Sequence, residues 1–101
     1  MTPEPPKEDV ANELKHIEVI AALAAQVPVE AVQSKSRDTR VVDAKVLFIE
    51  KALEAGFRNM EIAGYLQIDH STVSYHQSNF PSRLLVRSFQ QSNERFNQLY
   101  S

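Results

Sequence analysis

The chain of 101 residues contains no cysteine and only 2 glycines. Without cysteine it has no disulfide framework and no thiolate metal site, and its three histidines, His16, His70 and His76, are too scattered for a zinc set. Two glycines are too few for a phosphate-binding loop, and no serine-hydrolase or zinc-protease motif occurs. We therefore expect no metal, no cofactor, no nucleotide ligand and no enzymatic activity.

Long apolar runs are also missing. The longest uncharged stretch in the amino-terminal part, residues 19–29, is far shorter than the ~20 apolar residues that cross a bilayer. Residues 1–9 are rich in proline and acidic side chains, where a signal peptide would have basic and then apolar residues. We expect no membrane partner and a cytoplasmic location.

The net charge of −2 is unevenly distributed. Residues 1–13 hold four acidic side chains against Lys7, and the remaining residues hold 10 Lys and Arg against 9 Asp and Glu. The charge of the whole chain is therefore a weak argument for or against a nucleic-acid partner.

Apolar periodicity predicts an all-helical single domain of five or six helices. Residues 1–6, with three prolines, are expected to form a flexible tail before a domain spanning residues 7–101. A first helix begins near Lys7, a short one spans residues 28–32 with Pro28 at its first position, and residues 33–39 form a polar, basic loop. The strongest pattern is a helix over residues 40–55, which either Asp38 or Thr39 is expected to cap and which Gly56 ends.

Residues 59–78 carry the pattern of a helix-turn-helix. Asn59 and Asp69 are expected to cap its two helices, and Pro81 to end the second one after Phe80. Gln67 stands where this motif usually has a glycine in the left-handed conformation, so we expect a positive φ there or a different turn. A last amphipathic helix follows Pro81, with its apolar residues at Leu84, Leu85, Phe89, Phe96 and Leu99.

The order of these elements resembles the carboxy-terminal DNA-binding domain of the bacterial replication initiator DnaA. The recognition helix of that family begins Asp-His-Thr-Thr-Val, and residues 69–73 here read Asp-His-Ser-Thr-Val. The basic loop before a long helix resembles residues 34–37 of this chain, and the Glu-Ile that opens the family's first motif helix matches Glu61-Ile62. The chain departs from the family at Gln67-Ile68, has fewer loop arginines and lacks the ATPase module. The resemblance implies a bacterial or phage-borne DNA-binding module without ATPase.

The resemblance and the chemistry of the side chains select two sets of candidate DNA contacts. Hydroxyl, imidazole and carboxylate groups at the start of the recognition helix suit base edges, and loop or helix cations suit phosphates or a narrow minor groove. The expected base contacts are Asp69, His70, Ser71, Thr72 and Tyr75. The expected backbone or minor-groove contacts are Lys35, Arg37, Arg40, Lys45 and Arg58.

Two functions of different classes remain open at this point. The first is sequence-preferring binding of double-stranded DNA, in a transcriptional regulator or a stand-alone DnaA-like replication module. The second is a helical protein-interaction module that has kept the fold and lost DNA binding, which the acidic balance and Ile68 favour. The last helix can pack on its own core or on a protein partner, including a second copy.

Overall fold

The computed structural model describes residues 7–100, and it is a single helical domain with no strand among those residues. This confirms the predicted fold class; the expected tail, residues 1–6, lies outside the described residues. The helices are α1 (Glu8–Ala25), α2 (Val29–Val32), α3 (Thr39–Glu54), α4 (Asn59–Leu66), α5 (His70–Arg83) and α6 (Arg87–Tyr100). None of these described helices is long and apolar enough to cross a membrane.

Helices α4 and α5 form the predicted helix-turn-helix. Ile62, Ala63, Leu66 and Val73 are buried between the two helices and the rest of the core. Gln67 ends α4 in the left-handed conformation, with φ 57° and ψ 46°, and its backbone N–H bonds back to Ala63 O. The turn therefore has the geometry that usually requires glycine, built with glutamine.

Two predicted helix boundaries in this region are wrong. Asn59 does not cap α4: Arg58 is the N-cap residue, and its backbone N–H donates to the Glu61 carboxylate at 2.8 Å. Pro81 does not end α5, which continues to Arg83. A proline inside a helix removes one backbone hydrogen bond and crowds the carbonyl four residues before it. Here the last turn is held by other contacts, including an edge-to-face contact between Phe80 and Phe89 at 5.7 Å.

The last helix begins later than its apolar pattern predicts. Leu84 is the C-cap residue of α5, and Leu85 lies in the connection to α6 with 83% of its surface exposed. Only Phe89, Ser92 and Phe96 of α6 are buried, against α1 and α3. Leu84 and Leu85 are therefore not residues of α6, and Leu99 is half exposed rather than part of the core.

A buried carboxylate connects the first helix to the helix-turn-helix. Glu18 of α1 has no exposed surface, yet its oxygens accept hydrogen bonds from the Tyr65 hydroxyl at 2.9 Å and from Gln33 Nε2 at 2.8 Å. Lys15 Nζ lies 3.3 Å from the same carboxylate. Burial and the bond to Glu18 raise the pKa of the Tyr65 hydroxyl. Because the charge is paired and hydrogen-bonded, Glu18 can lie in the core and hold α1, α4 and the loop after α2 together.

Helix α5 is held to α3 by an ion pair. Arg83 Nη1 donates to Asp43 Oδ1 at 2.9 Å, and Asp43 is 2% exposed. Burial raises the pKa of the Asp43 carboxyl, and the Arg83 guanidinium opposes part of that rise. His76 of α5 is half-buried, and its Nδ1 is buried without a hydrogen-bond partner among the described residues. Burial lowers the pKa of His76, and the positive charges of Arg83 and Lys45 lower it further.

Replacement of the left-handed glutamine tests the turn. Glycine avoids the strain of order 1 kcal/mol that another residue carries at positive φ, so we expect Gln67→Gly to raise the melting temperature in thermal unfolding. The matched variant is Gln26→Gly, because Gln26 ends α1 in the same conformation with φ 61°. Gln67 loses a side-chain bond to Gly64 O at 2.5 Å on replacement, so its gain should be the smaller, while Gln26→Gly should gain about 4–8 °C. A lower melting temperature for Gln67→Gly would contradict this account of the turn.

The neutral His76 ring predicts a stability that falls with acidification. In the unfolded chain histidine takes up a proton near its usual pKa of about 6.5, whereas the folded pKa lies lower, so the unfolded state binds more protons below that pH. The free energy of unfolding should therefore decrease from about pH 7.5 to about 5.5, the range around the usual pKa of histidine. Urea unfolding across this range measures it. His76→Gln should flatten the profile and the exposed His16→Gln should not; identical profiles for both variants would show that His76 carries no such effect.

Candidate nucleic-acid interface

The outward face of α5 is polar, and it carries no charge when its histidine is neutral. Val73 is the one fully buried residue of this helix, so the residues on the opposite side of the helical period face outward. No Asp, Glu, Lys or Arg occurs between His70 and Ser82. The exposed positions are His70, Ser71, Ser74, Tyr75, Gln77, Ser78, Pro81 and Ser82. This face presents hydroxyl, imidazole, amide and phenol groups, the kinds of group that form hydrogen bonds with base edges.

The start of α5 is organised by Asp69, as its predicted role as a cap requires. Asp69 Oδ1 accepts from the Ser71 backbone N–H at 2.9 Å and from Ser71 Oγ at 3.0 Å. The backbone bond first, and then the hydroxyl bond, lower the pKa of the Asp69 carboxyl. His70 Nδ1 lies 3.5 Å from the same oxygen. The carboxylate is therefore ionised and fixes the orientation of the two residues that follow it.

The other two expected base contacts differ in accessibility. Tyr75 is 65% exposed, and its ring meets the ring of His76 edge-on at 5.6 Å. Thr72 is half-buried, on the face of α5 that it shares with His76 and Arg83. The structure thus brings Asp69, His70, Ser71 and Tyr75 onto one open surface and places Thr72 at its edge.

The predicted basic loop is exposed and internally hydrogen-bonded. Lys35, Arg37 and Arg40 are all exposed. Asp38 caps α3 by accepting from the Arg40 backbone N–H at 2.9 Å, which confirms one of the two cap positions that the sequence allows. The Asp38 N–H in turn donates to Ser36 Oγ at 3.1 Å. The loop is therefore ordered by its own short side chains, which leaves its cations directed to solvent.

Lys45 has a role inside the fold. Its Nζ donates to Ser34 O at 2.8 Å, and its burial lowers the pKa of the ammonium group. This bond attaches the start of the loop to α3. Of the five cations expected at a nucleic-acid backbone, Lys45 is therefore the one whose charge is engaged within the protein.

The loop and the second half of α5 lie on the same side of the molecule. Asp43, in the first turns of α3, bonds to Arg83 in the last turn of α5. The negative charge of Asp38 in the loop adds to the rise in the pKa of Asp43. The positive charge of Lys45, which bonds to the loop, contributes to lowering the pKa of His76 of α5. The loop before α3 and the second half of α5 are therefore neighbours in the fold.

Arg58 is exposed where α4 begins. The next residue, Asn59, donates from Nδ2 to Ser74 Oγ of α5 at 2.8 Å, so this end of α4 lies against the recognition helix. Of the five expected backbone contacts, Arg58 therefore lies beside the first half of α5.

Sequence reasoning missed the side-chain pairs that position α5. Asp43 stands among apolar residues at helical spacing, which is a signal that a buried charge needs a partner, but nothing in the pattern identifies Arg83, 40 positions later. The Asn59–Ser74 bond carries no sequence signal, because both residues are ordinary for exposed helical positions. No group of three or more potential ligand side chains within residues 7–100 is arranged to hold a metal ion.

Residues 48–94 match the GerE family model, described as bacterial regulatory proteins of the luxR family. The match spans the second half of α3, the whole helix-turn-helix and the first half of α6. No curated protein matches the chain, and no solved structure matches it. The family match supports the predicted helix-turn-helix DNA-binding domain, and this support does not extend to the narrower resemblance to DnaA.

Proposed function

We propose that this protein is a transcriptional regulator that binds double-stranded DNA with sequence preference through α5. The observation that carries the proposal is the exposed, uncharged face of α5, within a segment that matches a family of regulatory proteins. Exposed cations occur on the loop before α3 and at the start of α4. A neutral hydrogen-bonding face suits base edges in the major groove, and exposed cations suit phosphates.

In the proposed complex α5 lies in the major groove with its amino-terminal end toward the bases. Asp69, His70, Ser71, Thr72 and Tyr75 are the proposed base contacts. A hydroxyl serves as donor or acceptor, and the carboxylate of Asp69 has capacity left to accept from a cytosine amine. On one flank Lys35, Arg37 and Arg40 approach phosphates or an adjacent minor groove, and on the other flank Arg58 approaches a phosphate. Lys45 acts in this arrangement by holding the loop.

A regulatory role is favoured over a role in replication. The replication role rests on the likeness of residues 69–73 to the DnaA recognition helix. The matched family is one of regulatory proteins and covers both helices of the motif together with the helices on either side. We therefore propose transcription regulation.

The second candidate function is a protein-interaction module, and the same face of α5 favours it. Residues 70–82 contain no Lys or Arg, whereas nonspecific affinity for DNA comes from cations near phosphates. Fluorescence anisotropy with a duplex selected from a random pool separates the two. Saturable, salt-sensitive binding supports the DNA-binding proposal, and no binding to any duplex at low salt would contradict it.

Truncation of the proposed base contacts should reduce specificity. We expect His70→Ala and Thr72→Ala each to weaken binding to the selected duplex by about 1–3 kcal/mol, the usual scale for a base contact, and to leave binding to unrelated duplex nearly unchanged. Anisotropy titrations on both duplexes measure this, with melting temperatures recorded for each variant. His16→Ala, an exposed histidine of α1, is the matched control and should bind both duplexes like the parent. Equal losses on both duplexes would show that His70 and Thr72 read no sequence.

Removal of a loop cation should change the salt dependence. If Arg37 contacts a phosphate, Arg37→Ala should weaken binding to every duplex and flatten the slope of log affinity against log salt by about one unit. If it enters the minor groove, the loss should be larger on A·T-rich flanks. The exposed Lys7 at the start of α1 supplies the control, and Lys7→Ala should leave the slope unchanged. A parental slope and affinity for Arg37→Ala at low and high salt would remove the loop from the interface.

A further inference from the structure

An open cleft of about 380 Å³ lies beside the outward face of α5. Within the part of the chain that the structure describes, its lining contains no acidic side chain, and Val86 is its one apolar residue. The other lining side chains can all donate hydrogen bonds, and they are Tyr75, His76, Asn79, Ser82 and Arg83. The ring of Tyr75 meets the imidazole of His76 edge-on at 5.6 Å. A cleft with these donors suits an anion.

The guanidinium of Arg83 is fixed in position and keeps donors for a ligand. Its Nη1 donates to Asp43 Oδ1 at 2.9 Å, while 30% of the Arg83 side chain is exposed. Asp43 is 2% exposed, so it lies behind the guanidinium and away from solvent. A guanidinium has five N–H donors in one plane, and a single bond to Asp43 leaves others for an anion in the cleft.

The charges around His76 balance when its ring is neutral. Arg83 of α5 and Lys45 of α3 are positive, and Asp43 of α3 and Asp38 of the loop bring two negative charges to the same group. Burial, and then the charges of Arg83 and Lys45, lower the pKa of His76, so the ring is neutral near pH 7. An anion in the cleft adds one negative charge to this group and favours a proton on the imidazole.

A backbone phosphate can reach this cleft when α5 lies in the major groove. The groove is about 12 Å wide, and a helix with its side chains is about 10–12 Å across, so the two DNA backbones approach the flanks of the helix. One flank of α5 is a half-buried stripe at helical spacing, formed by Thr72, His76, Asn79 and Arg83. The loop before α3, with its exposed cations, adjoins the same half of α5.

We propose that this cleft binds a phosphate of the DNA backbone together with one proton, which His76 takes up from solvent. Arg83 donates to the phosphate oxygens, the charged imidazole offsets their negative charge, and Asp43 acts as a positioning residue for Arg83. Because the backbone is the same in every sequence, the contact strengthens binding to any duplex and makes the affinity depend on pH. This inference rests on the proposed function and adds to it a phosphate site and a condition that regulates it.

The pH dependence of DNA binding tests the proton. The complex binds one proton more than the free protein, so affinity should rise as pH falls, by about 3- to 10-fold between about pH 7.5 and about pH 6. Anisotropy titrations should show this rise on selected and unrelated duplexes alike. His76→Gln should lose most of it, and His16→Gln, at an exposed position of α1, should keep it. A rise that His76→Gln keeps, or that His70→Gln removes instead, would show that His76 does not take up the proton.

Removal of the Arg83 cation tests the phosphate contact. Arg83→Gln alone would leave the buried Asp43 carboxylate unpaired, so it is combined with Asp43→Asn. The double variant should bind every duplex more weakly, and the slope of log affinity against log salt should flatten by about one unit. Asp43→Asn alone keeps the cation and should keep the parental slope, with melting temperatures recorded for both variants. A parental slope in the double variant would contradict the contact.

The outcomes for the two proposals are distinct. If the parent selects a DNA sequence but its affinity and salt slope do not depend on His76 and Arg83, the inference about the cleft is wrong and the proposed function stands. If the parent binds no duplex, both fail. Inorganic phosphate, compared with chloride at equal ionic strength, tests the source of the anion. Stronger displacement of duplex by phosphate in the parent, and not in the double variant, would assign the cleft to a free phosphate and exclude the DNA contact.

Discussion

The ion pair between Asp43 and Arg83 determines where the far end of α5 lies. It joins a nearly buried carboxylate of α3 to the last turn of α5, beyond Pro81, with a distance of 2.9 Å. Helix α5 fully buries only Val73, which contributes about 1.5–3 kcal/mol as a single apolar side chain. Two polar contacts add to this apolar contact and orient the helix: Arg83, in the last turn, bonds to α3, and Ser74, in the first half, bonds to α4.

This way of holding α5 has a consequence for charge. Arg83 is paired with Asp43, and Lys45 is hydrogen-bonded to the loop, so neither adds a free cation to the outward face of α5. That face is left with neutral hydrogen-bonding groups, and the exposed cations stand on other elements, the loop before α3 and the start of α4. In the proposed complex, base recognition and phosphate attraction therefore belong to separate surfaces of the protein. Under that proposal, substitutions on the outward face of residues 70–82 change specificity with little effect on general affinity.

The residues before the matched segment are part of the same structural unit. Glu18 of α1 is buried and accepts hydrogen bonds from Tyr65 of α4 and from Gln33 after α2. Near the carboxyl end of α1, Arg95 of α6 donates to Ala24 O at 2.7 Å. Because a buried carboxylate is tolerated only with its partners in place, α1 and α4 are coupled. The helix-turn-helix of residues 59–83 therefore depends on α1 as well as on its neighbours in sequence.

The sequence by itself determined the features that arise from neighbouring residues. The apolar period of α3, the caps at Asp38 and Asp69, and the left-handed Gln67 were all predictable, because each depends on backbone geometry within a few residues. Tertiary structure decided the rest. Pro81 lies inside α5 although its local effect is to end a helix, since Phe80 and Arg83 are held by α6 and α3. The same holds for Asn59, which bonds to Ser74, while Arg58 is the N-cap residue of α4 and its backbone N–H donates to Glu61. Contacts between residues 15 or 40 positions apart leave no periodic trace in a single sequence, because they form only once the helices have packed.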